Sequence, residues 1–247
     1  MNVLILLTGA ALAALTTASA APIVPCISGS YTSYQALTMG CSVNDQQFSG
    51  FQILPAAAGS TAILPGLITV SPITMVLGPG LLFTVNASAS NGQSLEVNLG
   101  FNVNPLAMGN AIGGSTLTQN GATAVLDGGV AGAETICLGA PLAGDGSCPG
   151  TLASRNLGTF ALDGITPQNT DSLNFAAQSL VGLTGDYTVT AGSTGSAALT
   201  SFAIQVNEIQ ASGVPEPATL ALLVPAGIGL LLLRRKKIMN IVGKGGF

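Results

Sequence analysis

The chain has 247 residues, 48% hydrophobic and only 6% charged, with no histidine and no tryptophan. From Ala21 to Gly213 the one cation, Arg155, faces nine carboxylates (Asp45, Glu96, Asp127, Glu134, Asp145, Asp163, Asp171, Asp186 and Glu208), a net charge of minus eight. Phosphate binding needs Lys and Arg to displace counterions, so nucleic acid is excluded as a partner of this segment.

Residues 1–20 read as a secretory signal. Val3 to Leu15 is apolar apart from Thr8, and Ala18 and Ala20 supply the small-x-small pattern of a signal peptidase site, with cleavage expected before Ala21. The n-region lacks Lys or Arg, so an uncleaved anchor is the alternative. No cysteine stands at the cleavage point, which disfavours a lipoprotein. Residues 21–213 then form one exported domain, large enough to bury a core. Disorder normally accompanies low hydrophobicity and high charge; the apolar periodicity of this segment argues for a folded domain.

Strand signals follow in chain order. Candidates are Gln46 to Leu54 and Leu67 to Met75, then a strand through Leu81, Phe83 and Val85. Leu95, Val97, Leu99, Phe101 and Val103 alternate with polar or small residues, a period of two that buries one face. Asn91 and Gly92 between these two strands predict a two-residue hairpin. Asn120 and Gly121 separate Ser115 to Gln119 from Ala122 to Leu126. The Asp-Gly pairs at 127, 145 and 163 mark further turns. Gly129 to Leu138, Leu157 to Leu162, Tyr187 to Ala191 and Ala197 to Gln210 complete the strands. Asp171 to Leu180 is the one predicted helix, with Asp171 as its N-cap. The fold class is all-β: an antiparallel β-sandwich, immunoglobulin-like or jelly-roll.

Four cysteines in an exported segment argue for disulfides. Of three possible pairings, Cys26 with Cys41 and Cys137 with Cys148 is preferred because each closes a short loop containing Gly or Ser. A 15-residue loop is worth about 3 kcal/mol in the chain-entropy model. Zinc sites favour CxxC or Cys/His spacing, so no metal or cofactor is predicted. Asp127 to Glu134 and Asp145 to Ser147 offer the oxygen donors Ca2+ takes, but Asp-Gly is first of all turn chemistry. Phe48 and Phe51 read as core residues flanking a turn.

Catalytic motifs are missing. Without histidine there is no Ser-His or Cys-His dyad, and neither a GxSxG elbow nor a P-loop occurs. A carboxylate pair could serve glycoside hydrolysis, yet nine acids make some pair inevitable and no tryptophan offers a sugar platform. No enzyme activity is expected.

The tail is the most specific stretch. Val214, Pro215, Glu216 and Pro217 precede an uncharged run from Ala218 to Leu233 with seven leucines, followed by Arg234, Arg235, Lys236 and Lys237. Sixteen helical residues span roughly 24 Å against about 30 Å of hydrocarbon, and Pro225 interrupts them. This predicts a marginal transmembrane helix over 218–233. The positive-inside rule keeps the basic cluster and residues 238–247 cytoplasmic and the bulk of the chain outside.

The order of Pro-Glu-Pro, short apolar span and basic end closely resembles the PEP-CTERM sorting domain of Gram-negative bacteria, over residues 214–237. The resemblance implies an exosortase as partner, with Pro215, Glu216 and Pro217 matching the signature and Arg234 and Arg235 the terminal cluster. It also implies removal of the tail and delivery to the cell envelope or beyond. Two features depart from the family pattern: Pro225, and the ten residues after the basic cluster. Cys41 to Asp45, Phe48 to Phe51, Gly92 to Leu95 and the later Cys137 and Cys148 are similar to uncharacterised PEP-CTERM proteins, which implies a shared β domain without a known activity. Two functions fit: a structural protein of the envelope or a biofilm matrix, or a secreted module that binds carbohydrate or a surface partner. Extracellular polysaccharide is the expected ligand class of the second.

Overall fold

The computed structural model describes residues 23–75 and 78–210. The predicted signal segment with Ala18, Ala20 and Ala21 lies outside the described residues, as do Pro215, Glu216, Pro217, the 218–233 span, Arg234, Arg235 and residues 238–247. No helix among the described residues is long and apolar enough to cross a membrane.

Ten strands carry the fold: β1 (Gln46–Ile53), β2 (Thr69–Ile73), β3 (Gly80–Ser90), β4 (Ser94–Pro105), β5 (Asn110–Asn120), β6 (Gly129–Leu138), β7 (Leu157–Leu162), β8 (Thr170–Gln178), β9 (Val181–Thr190) and β10 (Ser196–Gln210). They lie in two sheets, of ten and seven strands once short edge pieces are included, with the orders β1-β4-β9-β6-β7 and β8-β5-β10-β3-β2. Among the described residues, helix is confined to Tyr31–Gln35 and a 3-10 turn at Pro65–Leu67. The described residues form an all-β fold, two mainly antiparallel sheets face to face.

Pairing is nested: β3 with β10, β4 with β9, β5 with β8, β6 with β7. From Gly80 to Gln210 the chain is therefore one long double strand folded back over itself. The fold closes where β10 also pairs β5 and β9 also pairs β6.

This order corrects the predicted hairpin at Asn91 and Gly92. Both residues take the left-handed conformation, φ 53° and 75°, and Gln93 N–H donates to Ser90 O at 3.1 Å, so the local turn forms. The strands it joins nevertheless enter different sheets, β3 beside β10 and β4 beside β9. Turn chemistry reverses the chain locally; long-range pairing with the C-terminal strands decides where each arm goes. Asn120 and Gly121 likewise do not make a hairpin: Thr123–Val125 continues along β10 just beyond β5. Asp163 and Gly164 do, joining β7 to Ile165–Gln168.

The predicted helix from Asp171 is a strand, β8. Leu173 and Phe175 alternate with exposed residues and pack against the core, while Thr170 to Asn174 pair with Thr118 to Gly114. Asp171 caps no helix: its carboxylate accepts from both terminal nitrogens of the Arg155 guanidinium, at 2.6 and 2.8 Å.

Inside, Val97, Leu99, Phe101 and Val103 of β4 are buried, with Phe48 and Phe51 of β1 beside them. Rings stack onward: Phe51 to Phe101 with centroids 6.0 Å apart, Phe101 to Phe83 at 5.9 Å, Phe83 to Phe202 at 5.0 Å, Phe202 to Tyr187 at 4.3 Å. Each such side chain contributes roughly 1.5–3 kcal/mol on burial. Tyr31 closes the row, donating to the carbonyls of Gln52 and Gly100 at 3.0 Å.

Beyond the rings the interior turns polar. Glu134 of β6 is fully buried, accepting 2.5 Å from Ser115 Oγ of the facing sheet, while its Oε2 has no partner. Burial pushes this carboxyl up to about 8, with the Ser115 bond opposing and Asp171 adding.

Candidate functional site on the outer face of the ten-stranded sheet

Alternation dictates what the outer face shows. In β6, Val130, Gly132, Glu134 and Ile136 point inward, so Gly129, Ala131, Ala133 and Thr135 point out. From Gly129 to Ala133 that face carries only a hydrogen and two methyls, a sunken line. Register places taller residues on both sides of its first half, Phe160 and Thr188 beside Ala131 and Leu162 and Thr190 beside Gly129, while Ala133 has Asp186 on one side and only Gly158 on the other. The result is a groove along β6, a cavity of about 330 Å³ bounded by Asp127, Phe160, Leu162, Thr188 and Thr190.

One end of the face is roofed. Cys137 points outward and is bonded to Cys148, which pins the loop between them onto the sheet. Leu142 of that loop lies on Gly100 and Gly182, where any Cβ would stand within 2.8 Å of it, and its N–H donates to Asn102 Oδ1 at 2.8 Å. Gln52 Nε2 donates to Ala143 O at 3.0 Å from the other side. Cys26 is bonded to Cys41 at the outer edge of the same sheet, away from the groove. Two disulfides belong to an oxidising compartment, outside the cytoplasm.

The far bank carries the polar groups. Ser60, Ser94 and Thr190 hydroxyls form a chain of contacts at 3.0 and 3.3 Å. Asp186 stands opposite Asn98 across β9 and β4, and neither Asp186 Oδ1 nor Asn98 Oδ1 receives a hydrogen bond. Burial and the nearby Glu96 raise the Asp186 carboxyl above its ordinary value. Glu96 itself is buried under the loop following β1, its Oε2 taken by Ala57 N–H at 2.9 Å.

The carboxylates weighed for Ca2+ in the sequence have other work. Asp127 accepts from the backbone and hydroxyl groups of Ser193 and Thr194, which holds it well below the usual carboxylate range. Asp145 accepts from Ser147 in the same way. Glu134 is in the core.

Phe160 was not singled out in the sequence. Among the described residues it alone of the aromatics is neither in the core cluster nor packed against it. The signal was there: Leu157, Thr159 and Ala161 are the inward set of β7, so Phe160 must face out.

No protein-family model matches this chain, and no curated protein matches it. Among solved structures, it is similar to TmCBM61 in complex with β-1,4-galactotriose, with 11% identity, 70% of this chain and 96% of that one covered, and a TM-score of 0.28. The xylan-binding CBM22-1 domain of Paenibacillus barcinonensis Xyn10C gives 15% identity, 76% and 98% coverage, and 0.21. Bacteriophage CBA120 tailspike protein 4 gives 9%, 66% and 19%, and 0.22. At TM-scores this low the likeness carries no inference about family or activity.

Proposed function

We propose that this chain is an exported, non-enzymatic cell-envelope or extracellular protein whose β-sandwich holds a polysaccharide chain in the β6 groove. The observation that carries the reading is Phe160, a solitary outward ring on one bank, with hydroxyls of Thr188 and Thr190 on the other. A sugar presents an apolar C–H face and an edge of hydroxyls, and a groove with one ring bank and one hydroxyl bank matches both. The small residues of β6 let a ligand reach the sheet itself. With Arg155 the only cation on the domain and held by Asp171, neutral glycans fit better than sulfated or phosphorylated ones. Glu96 is buried and bonded beneath its loop, so Asp186 lacks an exposed carboxylate partner for hydrolysis.

Nested pairing is the jelly-roll choice of the two sandwich topologies, a frame that lectin domains use, although a fold alone assigns no function. Sorting is read from the tail: the Pro215, Glu216 and Pro217 signature, the 218–233 span and the Arg234 and Arg235 cluster support recognition by an exosortase after signal cleavage before Ala21, with transient residence in the inner membrane.

Two experiments test this. Full-length protein is passed over a panel of immobilised extracellular polysaccharides, with Ala131→Phe as the groove-filled control. Retention on a neutral glycan that Ala131→Phe abolishes supports the reading; retention on none overturns it and leaves the purely structural role. For sorting, replacing Pro215, Glu216 and Pro217 with alanine is expected to hold the full-length form in the inner membrane, and unchanged release contradicts exosortase processing.

A further inference from the structure

At the end of the sandwich where β10 finishes, two carboxylates are held side by side. Asp45 precedes β1, Asn110 opens β5, and Glu208 lies near the end of β10. The Asn110 side-chain amide reaches Asp45 Oδ2 at 2.7 Å and touches Glu208 Oε1. Gln46 is fully buried, its Nε2 3.2 Å from Glu208 Oε2, and its Oε1 has no donor at all.

Three segments thus bring two like-charged carboxylates together against the Gln46 amide, whose nitrogen faces Glu208 and whose buried oxygen has no donor, and a positive charge relieves such a pair. The protein supplies none: Arg155, the one cation among the described residues, is committed to Asp171. No cluster of three or more acids or cysteines exists among the described residues, so amide oxygens must complete any donor set. Rotation of the Asn110 and Gln46 amides exchanges each nitrogen for an oxygen and adds two oxygens to the set.

We propose that Asp45, Gln46, Asn110 and Glu208 bind a divalent cation, Ca2+ by the hardness of the all-oxygen set, clipping the start of β1 in one sheet to the end of β10 in the other. Ca2+ takes six to eight oxygens in flexible geometry, whereas Mg2+ demands a tight octahedron. The site is independent of the β6 groove, which lies on the outer face. No local motif announces it, because its residues are drawn from three distant parts of the chain.

The test uses full-length protein in detergent, stripped with a chelator and titrated with CaCl2 by calorimetry and thermal denaturation. The expected dissociation constant is about 10⁻⁴–10⁻³ M, the range of extracellular modules, with a rise in Tm of about 3–8 °C at about 10 mM Ca2+. Glu208→Gln and Asp45→Asn each remove a like charge, so both are expected to fold without Ca2+ at least as stably as the stripped wild type, and both lose the response. Asp145→Asn, at an exposed turn, keeps it. Absence of heat and of any Tm shift overturns the proposal, as does a wild-type response in both variants; an equal response to Mg2+ overturns the Ca2+ assignment.

Discussion

On the inner face of the ten-stranded sheet, Phe48, Phe51, Phe101 and Tyr187 sit in continuous ring contact that runs through to Phe83 and Phe202 of the other sheet. On its outer face Phe160 stands above a line of glycine and alanine. The residue class is the same, and so is the backbone geometry; what differs is whether ring partners or small residues stand beside it. Inside, removing a ring opens a void that the close-packed neighbours fill only in part. Outside, it removes a bank of a groove already in contact with water.

Phe101→Ala is the most damaging change that this contrast predicts, at about 3–5 kcal/mol, read as a lower denaturant midpoint with an unchanged slope. A loss under about 1 kcal/mol would mean that the rings do not form one packed unit. Next is Cys137→Ser with Cys148→Ser. Opening that loop costs about 3 kcal/mol in the chain-entropy model and frees Leu142 from Gly100 and Gly182, so protease cleavage within 139–150 rises before global unfolding. Equal cleavage rates in the wild type and this variant would show that the bond does not hold the roof.

Glu134 sharpens the inner side. Its carboxyl keeps its proton in the folded protein up to about 8 but releases it from 4.5 upward when unfolded. The stability this group contributes is therefore fullest below about pH 4.5 and is lost as pH rises towards about 8, by at most about 1.4 kcal/mol per unit. Glu134→Gln removes that slope. Denaturation midpoints measured across the window check it, and a wild type whose stability is flat there would contradict a protonated Glu134.

Much of this was legible in the chain. The alternation of Leu95 to Val103 fixes one face of β4, and the bounds of Gly129 to Leu138 and Leu157 to Leu162 are those observed. Loop length favoured the same cysteine partners that the structure joins. Asn91 and Gly92 announced a turn but not that its arms part into two sheets, because that depends on strands about a hundred residues later. At Asp171 the cap residue suggested a helix, but the Leu173 and Phe175 alternation and the pairing with β5 make the segment a strand. Phe160 and the Asp45 to Glu208 cluster needed the fold: one is found only when inward and outward sets are assigned, the other only when three remote segments meet.

The smallest effect on stability belongs to Phe160→Ala, within about 0.5 kcal/mol, and it carries the most meaning. Polysaccharide retention and denaturation midpoint should be measured on the same preparation of this variant. Lost retention with an unchanged midpoint is the expected result. Full retention, or a fall in stability comparable to that of Phe101→Ala, would contradict the assignment of the outer ring to binding and the inner rings to folding.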